Sequence, residues 1–434
     1  MDDLLRATSE RAAHYLAGLA DRAVAPAPEA IARLGTLGGP LPDGPSDPAD
    51  VIGLLDGIGS PATTATAGGR YFGFVIGGTL PAALAASWLA TTWDNDAGMS
   101  LVSPVGAAVE EIARSWLLDV LRLPADSGIG FVTGGTMANL TCLAAARMAV
   151  LARVGWDVEA DGLFGAPPVT VVVGAEAHIS VFKALGLLGF GRERVLRVPV
   201  DDQGRMLVEE LHRLDGPSIV CAQAGNVNSG AVDPIGAIAE RVHRDDAWLH
   251  IDGAFGLWAA AAPERAHLVA GADAADSWAI DGHKWLNVPY DSGIAIVRDA
   301  GALRRAMAAS ASYLVASDNR EPDQYTPEMS RRARGVEAWA ALRSLGRSGL
   351  ADLVERCCRH ATRFADGLAS AGYQILNEVT LNQVLVSFGD DATTRRVIAA
   401  IQADGTCWCG GTTWQGRAAM RISVSSWATT DEDA

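Results

Sequence analysis

Residues 248–257 read Trp-Leu-His-Ile-Asp-Gly-Ala-Phe-Gly-Leu, and residues 277–285 read Ser-Trp-Ala-Ile-Asp-Gly-His-Lys-Trp. Trp248–Ile251 and Ser277–Ile280 are short apolar runs, the pattern of strands buried on both faces. Asp252 closes the first run, so it falls at the edge where open α/β sheets build their binding crevices. Lys284 follows the second run, 32 residues after Asp252. Working outward, similar runs recur at Ile129–Thr133, Thr170–Val173, Val195–Val198, Ser218–Ala222 and Gly293–Val297, and helical patterns separate most of the early ones. That rhythm predicts an α/β fold with a mostly parallel sheet and helices on both faces.

The flanks read differently. Leu5, Ala12, Leu16 and Leu19 share one helical face, and six prolines in residues 24–50 mark a wrapping or linking segment. Residues 71–93 carry no charge, but Gly77-Gly78 and Pro81 divide them, which predicts a buried strand or loop followed by a buried helix. Val105, Val109, Ile112, Trp116 and Val120 form a further helical stripe. Beyond residue 300, two helical segments (334–346 and 350–370) precede strand, helix and strand between 382 and 424, a smaller α+β lobe. The expected division is an N-terminal segment 1–60, a large domain 61–300, and a loop with a small domain 301–434. The final run to Ala434 resembles a cap with no helix after it, so the natural chain is expected to continue.

At 434 residues the chain can bury one large core and a smaller one. Its formal net charge of −16 gives neither nucleic acid nor an anionic membrane the basic footprint it needs. Six irregularly spaced cysteines are expected as free thiols, which suits a reducing cytoplasm. Cys407-Trp-Cys409 is better read as filling than as a metal site, and no metal is expected.

An acid at the Asp252 position can keep a pyridinium nitrogen protonated, which makes the ring an electron sink. An amine at the Lys284 position can form a Schiff base. Singly, the two residues read as a buried ion pair and an exposed lysine; the pairing in this context carries the chemistry. In Phe131-Val-Thr-Gly134-Gly135-Thr136-Met-Ala-Asn139 a strand ends, two glycines turn, and a helix opens whose free N–H groups suit a phosphate. The same turn is also a common structural device. His178, after the run 170–173, lies at the Asp252 edge, where it can stack on an aromatic ring or serve structure alone.

These motifs, in this order, resemble the group II pyridoxal-phosphate (PLP) decarboxylases, which include the aromatic-amino-acid and glutamate decarboxylases. The resemblance covers roughly residues 65–427. It implies PLP fold type I, aspartate-aminotransferase-like, and a homodimer with active sites at the interface. It implies Lys284 as the Schiff-base residue, Asp252 as partner of the ring nitrogen, Ala254 packed on the ring and His178 stacked on its other face. Gly135, Thr136 and His283 would serve the phosphate, and Asn226 the cofactor pocket. Ala311-Ser-Tyr313-Leu, before a polar stretch ending Ser330-Arg331-Arg332, resembles the family's mobile loop. Tyr313 there would return a proton to Cα, a position that is phenylalanine in related aldehyde-forming enzymes; a loop anchor is the plainer alternative. Arg421 would meet a substrate carboxylate, or sit in a surface salt bridge. Phe72, Phe74 and nearby Trp93 lean towards an aromatic or other apolar substrate, or belong to the core. Three departures from the family's pattern concern substrate rather than cofactor: no His-Pro before Arg70-Tyr71, Asn226-Val-Asn228 in place of threonines, and Gly282 before His283. The expected reaction is decarboxylation of an L-amino acid to its amine. The alternatives are aldehyde formation, transamination and Cα–Cβ cleavage on the same fold, or a non-catalytic binding protein.

Overall fold

A computed structural model describes residues 1–309 and 320–434. Tyr313 lies outside the described residues. Helices α1 (Asp2–Ala17), α2 (Pro28–Arg33) and α3 (Pro48–Gly59) lead the chain. The proline-rich segment is therefore more than a linker. Pro28 and Pro48 start helices at positions where a missing N–H costs nothing, and Asp47 caps α3 by accepting from Ala49 N at 2.7 Å.

The uncharged stretch becomes β1 (Tyr71–Phe72) and α4 (Pro81–Trp93). The expectation of a buried helix is corrected here. Ala83, Ser87 and Ala90 are buried, while Trp88, Leu89 and Trp93 stand exposed on the other face. In α5 (Pro104–Val120) the inward face is Gly106, Glu110, Ala113 and Leu117, one position from the expected stripe. The cause is Glu110, which turns inward to pair with buried Arg331 and with Arg320. A paired charge thus holds a core position, and Val105 and Ile112 are left exposed.

The large sheet contains β2 (Gly128–Val132), β3 (Thr170–Gly174), β4 (Leu196–Val198), β5 (Ser218–Gln223), β6 (Trp248–Asp252), β7 (Ser277–Asp281) and β8 (Gly293–Val297). Their order is β2-β8-β7-β6-β5-β3-β4, with β8 antiparallel to both its neighbours and the other pairs parallel. Successive residues feed opposite cores: Ile294 and Ile296 enter one cluster, Ala295 and Val297 the other. Burial on both faces is why the strands other than the edge strand β4 read as apolar runs.

Helix α6 (Gly135–Ala152) packs across β6, β7 and β8. It is long and apolar enough to cross a membrane, yet more than half of it is enclosed within the fold. The chain adds α7 (Val158–Asp161), α8 (Ile179–Leu187), α9 (Ile235–Arg244) and α10 (Ala300–Met307). Helix α11 (Gly335–Ser370) breaks at Gly346, whose φ of 62° is left-handed, so the two expected segments meet there.

The second sheet holds β9 (Gln374–Ile375), β10 (Gln383–Ser387), β11 (Trp408–Trp414) and β12 (Arg417–Ser423), with α12 (Asp391–Asp404) between β10 and β11. Its order is β1-β11-β12-β10-β9. The single last strand expected after the helix is a hairpin, turned at Gln415 and Gly416 with φ of 48° and 79°. Positive φ at both central residues suits a two-residue hairpin turn. β1 joins this sheet by pairing Tyr71 with Trp408.

Candidate active site

Four strand ends converge. β2 passes through Gly134 into α6, β3 leads to His178, β6 ends in Asp252, and β7 ends in Asp281 before Gly282, His283 and Lys284. Between them lies a cavity of about 290 Å³, lined by residues 133–137 with His178, Ser180, Ala254, Asp281, His283 and Lys284. Of the expected residues, Gly135, Thr136, His178, Ala254, His283 and Lys284 therefore share one wall.

The Lys284 side chain is 17% exposed; its Nζ lies 3.2 Å from Asp281 Oδ2 and 5.8 Å from the centre of the Phe255 ring. His283 Nε2 is 3.5 Å from Asp281 Oδ1, and its Nδ1 accepts from Ser292 N at 3.2 Å. The His283 ring stacks on Tyr290, centroids 4.2 Å apart. Burial holds the His283 pKa below its ordinary value, against the opposing pull of Asp281. The main chain of α6 must come close here. A Cβ on Gly135 would lie 2.8 Å from Asp281 Oδ2.

His178 caps α8. Its Nδ1 accepts from Ser180 N at 3.3 Å and lies 2.7 Å from Ser180 Oγ, which fixes the ring. Burial lowers its pKa; Asp252 opposes, and Lys284 and Arg421 add to the lowering. Asp252 sits one layer deeper, 5% exposed. Its Oδ1 accepts from Ala254 N at 3.3 Å, and its Oδ2 from Asn139 Nδ2 at 3.2 Å, with Ser180 Oγ at 3.5 Å.

Three expected residues stand elsewhere. Asn226 is buried in a turn, where its Oδ1 accepts from Asn228 N at 2.8 Å and Ser229 N at 3.2 Å. Arg421, on β12, donates to Val227 O at 3.1 Å and to Asn228 Oδ1 at 3.4 Å. It is 9% exposed and has no carboxylate within ion-pair distance among the described residues, so it is not in a surface salt bridge. Burial lowers its pKa. Phe74 is exposed and stacks on Trp408 at 5.6 Å, and Trp408 stacks on Tyr71 at 5.1 Å on its own strand pair.

Sequence reasoning missed Asp281, Ser180, Asn139 and Trp408. The first had a signal, since it closes an apolar run just as Asp252 does. It also missed Asn287, which anchors the lysine loop. Asn287 Nδ2 donates to Trp285 O at 2.9 Å and Ser425 O at 3.0 Å, and its Oδ1 accepts from Trp427 N at 2.9 Å. Leu80 N donates to Asn287 O at 2.8 Å. Gly77 packs so tightly that a Cβ would lie 1.8 Å from Lys284 O.

A seven-stranded, mostly parallel sheet with an acid ending one strand and a lysine just past the next is the arrangement expected of PLP fold type I. The crystal structure of Oryza sativa TDC with PLP and tryptamine shares that fold, with a TM-score of 0.92 at 23% identity over all of this chain and 94% of the other. The chain belongs to the pyridoxal-dependent decarboxylase family, whose conserved domain matches residues 62–389. It is 30% identical over 321 residues to the aromatic-L-amino-acid decarboxylase of Bacillus atrophaeus, a match covering 70% of this chain and 64% of that protein. It is 29% identical over 406 residues to tryptophan decarboxylase 1 of Oryza sativa subsp. japonica, covering 84% and 78%.

The residues fit PLP. Among the described residues no side chain caps the start of α6, which leaves its first N–H groups facing the cavity for a phosphate. Buried Asp281 Oδ1 has no hydrogen-bond partner among the described residues, although the histidine expected to serve that phosphate lies beside it. Lys284 would hold the cofactor, Asp252 its ring nitrogen, and His178 and Ala254 its faces.

Proposed function

We propose that the protein decarboxylates an L-amino acid, with an aromatic side chain as the preferred class. The observation that carries the reading is Lys284 Nζ at the cavity wall with Asp252 one layer behind it. When bound, PLP supplies an electron sink conjugated to the substrate Cα. Lys284 would hold the cofactor, and Asp252 would stabilise positive charge on its ring nitrogen. Arg421, buried and with no carboxylate within ion-pair distance among the described residues, acts electrostatically on His178 and is our candidate partner for the substrate carboxylate. What supports the aromatic class is that the two relatives named above are an aromatic-amino-acid and a tryptophan decarboxylase.

The test is a screen of the purified protein against amino acids for CO₂ and amine. Release from tryptophan, tyrosine or phenylalanine is expected, and release from glutamate alone would overturn the substrate class. Tyr313 is assigned the proton returned to Cα after CO₂ leaves. Tyr313→Phe keeps the ring and removes the donor, so amine output is expected to fall while aldehyde, ammonia and peroxide rise when oxygen is present. Unchanged amine yield would take Tyr313 out of the reaction. Aldehyde as the main wild-type product would replace the decarboxylase reading with the aldehyde-forming one.

We also propose a homodimer. Trp88, Leu89 and Trp93 on α4, Val51, Leu54 and Leu55 on α3, and Val105 and Ile112 on α5 are exposed apolar residues that a partner chain could cover. Light scattering should give about twice 45.2 kDa. An active species at the single-chain mass would refute the pairing.

A further inference from the structure

Behind Asp252 runs a chain of buried polar groups that the reaction above does not use. Trp248 Nε1 lies 2.9 Å from Ser277 Oγ, and Ser277 Oγ lies 2.9 Å from His250 Nδ1. His250 Nε2 lies 2.8 Å from Asn139 Oδ1, and Asn139 Nδ2 lies 3.2 Å from Asp252 Oδ2. Ser277, His250 and Asn139 are fully buried and Trp248 nearly so. The placement follows from the fold. Trp248, His250 and Asp252 alternate along β6 and so face one side, His250 pairs in register with Ser277 of β7, and α6 brings Asn139 over that face.

Buried polar groups are costly unless each is satisfied, so the direction of each bond matters. The indole N–H of Trp248 can only donate. Ser277 Oγ accepts it and has one proton left to give, for which His250 Nδ1 is the partner in reach. With Nδ1 accepting, His250 carries its proton on Nε2 and donates to Asn139 Oδ1. The amide of Asn139 is thereby turned so that its NH₂ faces Asp252. The reverse arrangement would strand the Ser277 proton and set the amide oxygen of Asn139 against a carboxylate oxygen. Burial also pushes the His250 pKa down to about 4, so the ring is neutral at pH 7 and has one proton to place.

We propose that Asn139 and His250 are positioning residues for Asp252, held in a one-way run of hydrogen bonds from Trp248 through Ser277 that ends by donating to the Asp252 carboxylate. The run fixes the orientation of the carboxylate that the cofactor's ring nitrogen would meet, and it rests on the assignment of Asp252 to that nitrogen. Asn139 and His250 touch neither substrate nor cofactor in this scheme; they act through Asp252.

The first test needs neither cofactor nor substrate. Nitrogen-15 NMR of the histidine-labelled, cofactor-free protein should place the His250 proton on Nε2, unchanged between pH 6 and 8. In Ser277→Ala, Nδ1 loses its donor and a mixture of tautomers is expected; a purely packing role for Ser277 would leave the tautomer alone. A proton on Nδ1 in the wild type, or a charged ring at pH 7, overturns the proposal. The second test loads the protein with PLP labelled at the ring nitrogen. Asn139→Leu, close in shape but without a donor, should move that resonance towards the unprotonated position and lower kcat about 10- to 100-fold, with KM changed less than about threefold. An unmoved resonance with unchanged kcat in folded Asn139→Leu overturns the coupling. A ring nitrogen already unprotonated in the wild type overturns the assignment of Asp252 itself, a failure distinct from that of the tautomer measurement.

Discussion

Lys284→Ala is expected to lower turnover by at least a thousand-fold, about 4 kcal/mol of barrier, with little change in folding. Lys284 is partly exposed at the cavity wall, and its ion-pair partner among the described residues, Asp281, keeps His283 at 3.5 Å and the Trp258 indole bond to its carbonyl at 3.2 Å. The scaffold therefore survives the substitution, while the only amine lining the cavity among the described residues is lost. Borohydride treatment of the PLP-loaded wild type should fix the cofactor's mass on the peptide that contains Lys284. The variant should retain none of that label there. Label on another lysine, or turnover within tenfold of wild type, would sink the assignment.

Asp252→Asn is expected to cost kcat two to three orders of magnitude, about 3–4 kcal/mol, while the affinity for PLP changes little. The amide is nearly isosteric, so the contacts with Ala254 N and Asn139 Nδ2 can be rebuilt in part. What the amide lacks is the negative charge that stabilises a protonated ring nitrogen. The residues placed at the phosphate (Gly135, Thr136, His283) and Lys284 itself are untouched. Measuring kcat alongside the cofactor dissociation constant separates the two effects. A loss under tenfold, or one carried wholly by cofactor affinity, would remove Asp252 from its role.

The large-sheet strands were legible to within a residue or two because, apart from the edge strand β4, both faces are buried, so little polar alternation interrupts the runs. Residues whose signal is lopsided between faces were harder. Glu110 hides on the inward side of α5, and its reason, Arg331, lies 221 residues away. The β11–β12 hairpin was missed because Gln415-Gly416 is a weaker turn signal than Asn-Gly, and Gly410 and Gly411 dilute the strand pattern.

In the site, the chemically distinctive residues were readable from their place at strand ends. Lys284 and Asp252 belong to that group, and so does His178, although its role as the cap of α8 needed coordinates. Asn139 and His250 were not readable. Each looks like an ordinary polar residue within its own element, and their connection spans 111 residues of sequence. Phe74 illustrates the reverse case: an aromatic residue in the expected pocket segment that lies exposed against Trp408 rather than in the cavity wall.

Asn287 has a consequence for when this protein acquires activity. It ties the lysine loop at once to Leu80, early in the chain, and to Ser425 and Trp427, 138 and 140 residues further on. A nascent chain still emerging from the ribosome can assemble the large sheet as soon as β8 is free, since all seven strands precede residue 298. The loop carrying the reactive amine, however, waits for residues synthesised about 130 positions later. Contacts of such separation form late because the intervening chain must first be ordered. Synthesis should therefore pass through a stage with a folded sheet and a slack lysine loop, so that competence to react waits until residues 425–427 are in place.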